Sequence, residues 1–299
     1  MNEVRNVLEA RFPGLHAAIE TLISEAEAGF NARSGQSSSE FLLEHTRRTA
    51  AIARKIAALE GCDPFLPALV ALFHDAGKFH EGEYHADGIA EEEHAALLAD
   101  EMLGRFGLER GAIDAVVAAL RALYDERLPC LGAARIVQDA DRLDKLGPLG
   151  VGAFFTKATL RGRGLVEALA QTLSRELTYA QAAPRSMFTA SGRRLAREQG
   201  AKTIAFFDQL LEQLEDWGIA AFDRHTVVLD EDFCSRDGVV VRGMEVAIAM
   251  PRACPDCAAP LALTHKREQG VKCERFIAYF SCGNCGYAGG TSLCLPVIA

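Results

Sequence analysis

Apolar residues recur every three or four positions through most of the first 217 residues, as in helices that bury one face. Ala, Leu, Glu and Arg dominate this part of the chain, and Pro, Gly and polar turns separate the apolar runs. The pattern predicts a nearly all-helical array. The expected helices cover residues 4–12, 15–30, 39–59, 66–76, 91–103, 112–124, 133–146, 149–160, 165–179 and 189–217.

The pattern changes near residue 220, where Val-rich runs, Gly turns and most of the nine cysteines begin. Strands are expected over residues 225–229, 239–241, 245–250 and 275–281. We therefore predict a mainly α fold, in which a helical domain of residues 1–222 is followed by a small β-rich domain of residues 223–299.

A His–Asp pair closes the apolar helix expected over residues 66–76. His74 and Asp75 come at its end, and Gly77 and Lys78 follow. An imidazole nitrogen and a carboxylate oxygen at one helix end can bind the same metal ion. The pair is therefore a candidate for half of a metal site.

Two further ligands are available from other predicted helices, His45 from residues 39–59 and Asp141 from residues 133–146. Four protein ligands leave coordination positions open for water and a phosphate oxygen, as a hydrolytic metal requires. We predict one divalent metal, which could be Mn, Zn, Mg, Co, Ni or Fe. The alternative is a buried polar network that only holds the helices together.

Four blocks of this chain resemble the HD-domain superfamily of metal-dependent phosphohydrolases. The blocks are His45-Thr46-Arg47-Arg48, Phe73-His74-Asp75-Ala76-Gly77-Lys78, Asp139-Ala140-Asp141-Arg142-Leu143-Asp144 and Met187-Phe188-Thr189-Ala190-Ser191-Gly192-Arg193. The resemblance spans residues 15 to 217 and is to the subgroup that includes small bacterial nucleotide hydrolases. It implies an all-α fold and metal ligation by His45, His74, Asp75 and Asp141.

The same resemblance disfavours one substrate class. Stringent-response hydrolases carry a Glu-Asp pair three residues after the His-Asp pair, and here those positions are Lys78 and Phe79. A binuclear phosphodiesterase would need further histidines. His85 and His94 are available, but residues 112–128 contain no His. We therefore predict one metal, and a second ion near His85 and His94 stays open.

Three residues are candidates for catalytic roles: Asp75, Lys78 and Asp144. Asp75 would act through the metal. Lys78 directly follows the metal helix and could bind a phosphate or protonate a leaving group, whereas the alternative is a solvated Lys after a helix-ending Gly. Asp144 lies one turn from Asp141 and could orient a ligand or act as a general base. A salt bridge to Arg142 or Lys145 is the alternative.

Two residues are candidates for binding substrate, His94 and Arg193. His94 could reach a substrate phosphate or a second metal, although it could also be a surface His beside residues 91–93. Arg193 follows Gly192 and could bind a phosphate through two hydrogen bonds. The solvated face of a long helix is the alternative for this Arg.

Two Cys-x-x-Cys motifs near the end of the chain predict a structural zinc site. Cys254 and Cys257 form the first motif, and Cys282 and Cys285 form the second. Two such motifs separated by a hairpin-like segment resemble a zinc ribbon, in which four thiolates complete the tetrahedral shell of the ion. A redox-active dithiol is the alternative for a single motif.

Together these features predict a phosphohydrolase in which metal-bound water attacks a phosphate ester or anhydride, with a nucleotide as the expected substrate. One alternative is a non-catalytic HD sensor whose ribbon is a binding module. Another is a phosphodiesterase acting on nucleic acid or on a cyclic nucleotide, with the ribbon guiding a polymer.

Charge and composition limit the expected partners and location. The net charge of −9 argues against broad non-specific binding of nucleic acid, although the ribbon could contact nucleic acid or protein through a local basic surface. No stretch reaches the length of a membrane span, and the first residues lack the apolar core of a signal peptide. We therefore expect a cytoplasmic protein with no membrane partner.

Overall fold

The structure is a computed structural model of the 299-residue chain. It describes residues 2–35, 40–79, 89–123, 132–229, 233–234, 240–241, 244–269 and 274–295. The chain divides into two compact units, which are treated separately below. The first unit comprises Met1–Asp144 and Met187–Gly192, and the second comprises Lys145–Ser186 and Arg193–Ala299.

Helices build the first unit. They are α1 (Asn2–Glu9), α2 (Leu15–Ser34), α3 (Phe41–Leu59), α4 (Phe65–Phe73), α5 (Glu91–Arg105), α6 (Arg110–Arg121) and α7 (Gly132–Asp144). Helix α3 packs against both α4 and α7. Large apolar side chains such as Ile56, Leu69 and Phe73 are fully buried here, so the hydrophobic effect holds these three helices together.

Helix α4 is short, and every side chain from Pro67 to Phe73 is buried. The chain leaves this helix through a turn that packs closely against the start of α5. A Cβ atom on Gly77 would lie 2.3 Å from the Glu91 carbonyl oxygen and 2.7 Å from the His94 Cβ. Only glycine allows this approach, which brings the turn carrying the His-Asp pair against α5.

The second unit combines three helices with antiparallel strands. Its helices are α8 (Gly147–Leu160), α9 (Leu165–Ser186) and α10 (Ala190–Asp216), the first three residues of which belong to the first unit. Its strands are β1 (Phe222–Leu229), β2 (Phe233–Cys234), β3 (Val240–Val241), β4 (Met244–Pro251), β5 (Ala262–Gln269), β6 (Glu274–Ser281) and β7 (Ala288–Leu295). Among the described residues, β1 pairs with β4, β2 with β3, and β6 lies between β5 and β7.

Helix α9 runs along β4 and satisfies its backbone. The Ser174 hydroxyl bonds to the backbone N–H and C=O of Ala249, and the Thr178 hydroxyl bonds to those of Ala247. Two hydroxyl groups four residues apart on α9 thus form hydrogen bonds with the backbone of two residues that are two apart on β4. Apolar side chains of α8, α9, α10, β1 and β4 form one core around these contacts.

The predicted architecture, a helical part followed by a β-rich part with four cysteines, is confirmed. The predicted boundary at residue 222 stays a prediction. The compact units divide the chain elsewhere, because α8, α9 and α10 share a core with β1 and β4. Among the described residues, no helix combines the length and the apolar character that a membrane crossing requires.

Candidate metal centre

Three elements bring the predicted metal ligands together in the first unit. His45 comes from α3, His74 from the end of α4 and Asp141 from α7. The His45 Nε2 atom lies 3.3 Å from His74 Nε2 and 3.3 Å from Asp141 Oδ1. One ligand atom from each of the three residues lies within 4.8 Å of the other two, which is close enough for one ion to contact all three.

Asp75 lies beside this group. Its Oδ2 atom is 3.6 Å from His45 Nε2 and 3.7 Å from His74 Nε2. Its side chain is 13% exposed, so the carboxylate is largely shielded from bulk water. The structure therefore groups three of the four residues that the sequence indicated as ligands, and Asp75 lies beside them, close to both imidazoles.

Hydrogen bonds fix the orientation of both imidazoles. His74 Nδ1 lies 2.7 Å from the Ala71 carbonyl oxygen, which can only accept, so Nδ1 donates and Nε2 presents its lone pair to the centre. His45 Nδ1 lies 2.8 Å from Asp144 Oδ2 and donates to it. Such a bond to the outer ring nitrogen is the usual way in which proteins orient a metal-binding histidine.

The electrostatics of the centre favour a cation. Burial lowers the pKa of His45, but hydrogen bonds to Asp141 and Asp144 outweigh burial and raise it to about 9. Burial also lowers the pKa of His74, which keeps that ring neutral. For Asp75, burial raises the pKa, but His74, Lys78 and His45 together lower it to about 2.

With these pKa values, the centre holds one proton, on His45, when no metal is bound. The proton on His45 Nε2 stands between the lone pair of His74 and two carboxylates. Without a cation there, two imidazole lone pairs would face each other at 3.3 Å. Two nitrogen and two carboxylate ligands suit a divalent ion of the first transition row or magnesium, so the residues fit the predicted metal.

Asp144 holds His45 in place together with Arg48. Arg48 Nε donates to Asp144 Oδ1 at 2.6 Å, and a terminal Arg48 nitrogen donates to Oδ2 at 3.0 Å. Asp144 thus forms an ion pair with Arg48, a partner that was not considered from the sequence. Both of its oxygens are engaged, which favours orientation of His45 over proton transfer to a substrate. Arg48 was not singled out from the sequence, although it lies one turn after His45.

Lys78 forms an ion pair with Asp75. Its Nζ atom is 2.9 Å from Asp75 Oδ2, and 29% of its side chain is exposed. Lys78 is therefore held beside the centre and is not the freely solvated lysine considered from the sequence.

The remaining candidates are placed differently. His94 is 8% exposed and packs against Gly77, so the alternative of a surface histidine is wrong. Its role in substrate binding stays a prediction. Arg193 is exposed on α10, in the second unit, and its predicted role also stays untested. His85 lies outside the described residues.

Asp139 is a structural residue of α7. Its Oδ1 atom accepts from the Phe188 backbone N–H, and its Oδ2 atom accepts from the backbone N–H and the hydroxyl of Thr189 at 2.7–2.8 Å. The side chain is fully buried. Asp139 therefore ties residues 188–189 to the helix that carries Asp141.

The four cysteines form a second candidate metal site in the second unit. The Cys254 and Cys285 sulfur atoms are 3.4 Å apart, and those of Cys257 and Cys282 are 3.5 Å apart. Tetrahedral zinc with Zn–S bonds of about 2.3 Å requires sulfur atoms about 3.8 Å apart. All four sulfurs lie within 4.8 Å of one another, so they fit this shell.

The two cysteine motifs have the same backbone hydrogen bonds. The Cys254 C=O accepts from the N–H of Ala258, and the Cys282 C=O accepts from the N–H of Gly286. In each motif the residue that donates this bond has a left-handed backbone conformation, with φ of 57° at Ala258 and 80° at Gly286. The repeated geometry agrees with two knuckles that close around one ion.

Three comparisons with known proteins concern mainly the helical part. Residues 42–146 match the sequence profile of the HD domain. A protein described as a predicted HD superfamily hydrolase, from an uncultured Thermotogales bacterium, is similar in structure. Its TM-score is 0.50 at 24% identity, over 71% of this chain and 98% of that one.

The Bacillus subtilis protein YpgQ is also similar, with a TM-score of 0.50 at 22% identity, over 67% of this chain and 96% of that one. A structure of YpgQ in complex with ADP has a TM-score of 0.49 at 23% identity, over 67% and 97% of the two chains. These likenesses concern the fold alone. A search of curated proteins finds no match. The match to the HD-domain profile thus spans the part of the chain that contains all four predicted ligands.

Proposed function

We propose that this chain is a metal-dependent phosphohydrolase that cleaves a phosphate ester or anhydride of a small compound, with a nucleotide as its substrate. The observation that carries the proposal is the convergence of His45, His74, Asp75 and Asp141 within an HD domain. A bound divalent cation supplies a Lewis acid for a phosphoryl oxygen and lowers the pKa of a coordinated water.

The protein's own residues prepare this centre. Ala71 and Asp144 fix the outer nitrogens of the two imidazoles, so their inner nitrogens point at a common place. Lys78 adds a positive charge beside Asp75. We assign Lys78 to binding a phosphoryl oxygen and to donating a proton to the leaving oxygen, since a positioned ammonium group can do both.

The nucleotide rests on the sequence resemblance to small bacterial nucleotide hydrolases. It rests on the four matched blocks together, the last of which, residues 187–193, contains none of the predicted ligands. Residues 188–189 are hydrogen-bonded to α7 through Asp139, which supports a shared role for this block and the block at residues 139–144 in one site.

An activity panel tests the proposal. Full-length protein is assayed with nucleoside mono-, di- and triphosphates and with model phosphate esters, while Mn, Co, Ni, Zn, Mg and Fe are supplied in turn. We expect metal-dependent release of phosphate or of a nucleotide product. His74→Ala and Asp75→Ala should abolish it, whereas His265→Ala, an exposed histidine of β5, should not.

The outcomes separate the alternatives. Turnover that ignores chelators and survives both His74→Ala and Asp75→Ala would overturn the proposal. Full metal occupancy without turnover of any phosphorylated compound would instead favour a sensor. Salt-sensitive cleavage of RNA or DNA would favour a nuclease.

We also propose that the cysteine cluster holds one structural zinc ion. Four thiolates fill a tetrahedral shell and leave no position for a substrate. Such an ion contributes folding free energy to a small β-rich segment.

A further inference from the structure

A cavity of about 160 Å³ lies in the first unit, among helices α1, α2, α3 and α4. It has room for a small ion and ordered water. Its polar wall is formed by two arginines, a histidine and a glutamate, and apolar side chains complete it. The lining residues that matter here are Arg5, His16, Glu20, Arg47, Ala50 and Leu72.

The cavity is separate from the metal centre. Successive residues of an α-helix are rotated by about 100°, so Arg47 points about 200° away from His45 on α3. His45 faces α7 through its bond to Asp144, whereas Arg47 faces α2 through its bond to Glu20. The cavity and the metal centre therefore lie on opposite sides of α3.

Arg47 has unused donors at the cavity. Its Nε atom donates to Glu20 Oε1 at 2.6 Å. Among the described residues, no further hydrogen bond or ion pair engages its terminal nitrogens. The bond to Glu20 fixes the plane of the guanidinium, so the remaining donors form a rigid fork of the kind that binds oxyanions.

His16 is the second unused polar group. It is 8% exposed, and its Nδ1 atom is 3.8 Å from Glu20 Oε1, beyond hydrogen-bonding distance. The described residues provide no hydrogen-bond partner for its ring. Burial is the main cause that lowers the pKa of His16, so the ring is neutral at pH 7 and offers one donor. The ring is therefore available to a molecule that enters the cavity.

The lining side chains include two positive groups, Arg5 and Arg47, and one negative group, Glu20. Glu9 acts on His16, and Glu40 and Glu44 act on Arg47, from outside the lining. An anion would therefore be held by the directed donors of Arg5, Arg47 and His16 and not by a general positive charge. Glu20 still has one oxygen that can accept from a hydroxyl group, and hydrogen phosphate carries both acceptor oxygens and such a hydroxyl.

We propose that this cavity is a second binding site that takes a phosphoryl group, as free phosphate or as part of a small phosphorylated compound. Arg5, Arg47 and His16 donate to its oxygens, and Glu20 orients Arg47. The proposal does not depend on the phosphohydrolase activity, because none of these residues belongs to the metal centre.

Calorimetric titration of the full-length protein with inorganic phosphate tests the site. We expect saturable binding at millimolar concentration or below, in wild type and in His74→Ala, where phosphate at the metal centre is removed. Arg5→Gln and Arg47→Gln should each weaken this binding about tenfold or more, since each removes a charged donor. Arg194→Gln is the matched control, because that exposed arginine pairs with Glu198 on its own helix.

Arg5 is exposed, so Arg5→Gln keeps the test valid even if loss of the Arg47–Glu20 pair disturbs folding. A parallel titration with AMP identifies the source of the phosphoryl group. Binding of AMP that also depends on Arg5 assigns the site to a phosphorylated compound, and binding of phosphate alone assigns it to the free ion. Absence of saturable binding of either probe, or equal affinity in wild type, Arg5→Gln and Arg47→Gln, would overturn the proposal.

Discussion

His45 is the residue on which the geometry of the metal centre depends most. One ring nitrogen is held by Asp144, and the other lies within 3.6 Å of His74, Asp75 and Asp141. Because the hydrogen bond to Asp144 fixes the orientation of the ring at Nδ1, the Nε2 atom points in one direction, toward the place where a metal ion would bind. Two predictions follow from this arrangement, one for Asp144 and one for the proton on His45.

Replacing Asp144 by Asn should weaken metal binding about 10- to 100-fold, because the amide cannot hold both the His45 N–H and Arg48 as a carboxylate does. The measurement is a titration with Mn²⁺, with thermal unfolding recorded to separate affinity from stability. Asp100→Asn is the control, since that half-buried carboxylate pairs with Arg110 away from the centre. Equal metal affinity in Asp144→Asn and wild type would contradict the orienting role.

Metal affinity should fall about tenfold for each unit by which the pH drops below about 9. The metal needs neutral His45, whose pKa is raised to about 9 without it, so binding at pH 7 must displace one proton. Asp75, with a pKa of about 2, and the neutral His74 add no proton over this range. Calorimetry in two buffers with different heats of protonation measures the proton released. Release of none at pH 7 would show that His45 is neutral beforehand.

At the scale of elements, the turn after α4 positions the His-Asp pair against α5. The sequence indicated its position well, since an apolar run followed by Gly77 marks a helix end. It could not indicate that α5 lies within 2.8 Å of a Cβ built on Gly77, because such contacts depend on packing between helices that are distant in the chain.

Gly77→Ala should destabilise the protein by about 1–3 kcal/mol, the usual cost of forcing a methyl group into a packed contact. The new Cβ would meet the Glu91 carbonyl oxygen, part of the backbone, at 2.3 Å. Gly104→Ala in α5 is the control, and it should stabilise the protein. Nothing lies within 4 Å of its Cβ, and Ala is favoured over Gly in a helix by about 0.5–1 kcal/mol. Urea unfolding measures both changes, and equal stability of Gly77→Ala and wild type would contradict the close packing.

Several elements escaped prediction for identifiable reasons. Strand β5 contains the run Thr264-His265-Lys266, which lacks the alternation of a half-buried strand, and β7 contains Gly289 and Gly290, which disfavour a strand. Helices α3 and α7 were predicted from their apolar periodicity, and α4 was predicted from its continuous apolar run. The Arg48–Asp144 pair was missed, because its partners are 96 residues apart and no local pattern links them.

At the scale of the whole molecule, two candidate metal sites of different chemistry lie in the two units. The predicted nitrogen and oxygen ligands of the first unit would leave room for a substrate, whereas four thiolates around one ion would not. The two ions should therefore differ in how readily they exchange.

Cys257→Ser should remove one zinc ion per chain and destabilise the segment of β5, β6 and β7, because the ion links the turns before β5 and after β6. Metal analysis of the full-length protein, together with limited proteolysis, measures both effects. Cys62→Ser is the control, since that exposed thiol lies outside both metal sites. Loss of no zinc from Cys257→Ser would show that the cluster is not a zinc site.

The hydrogen bonds between Asp139 and residues 188–189 determine where this protein can be truncated. A fragment ending at residue 146, where the family profile stops, would keep His45, His74, Asp75 and Asp141. It would nevertheless leave a fully buried carboxylate without its three donors, at a cost of about 1–3 kcal/mol or more. Fragments designed for crystallisation or ligand screening should therefore extend through Gly192.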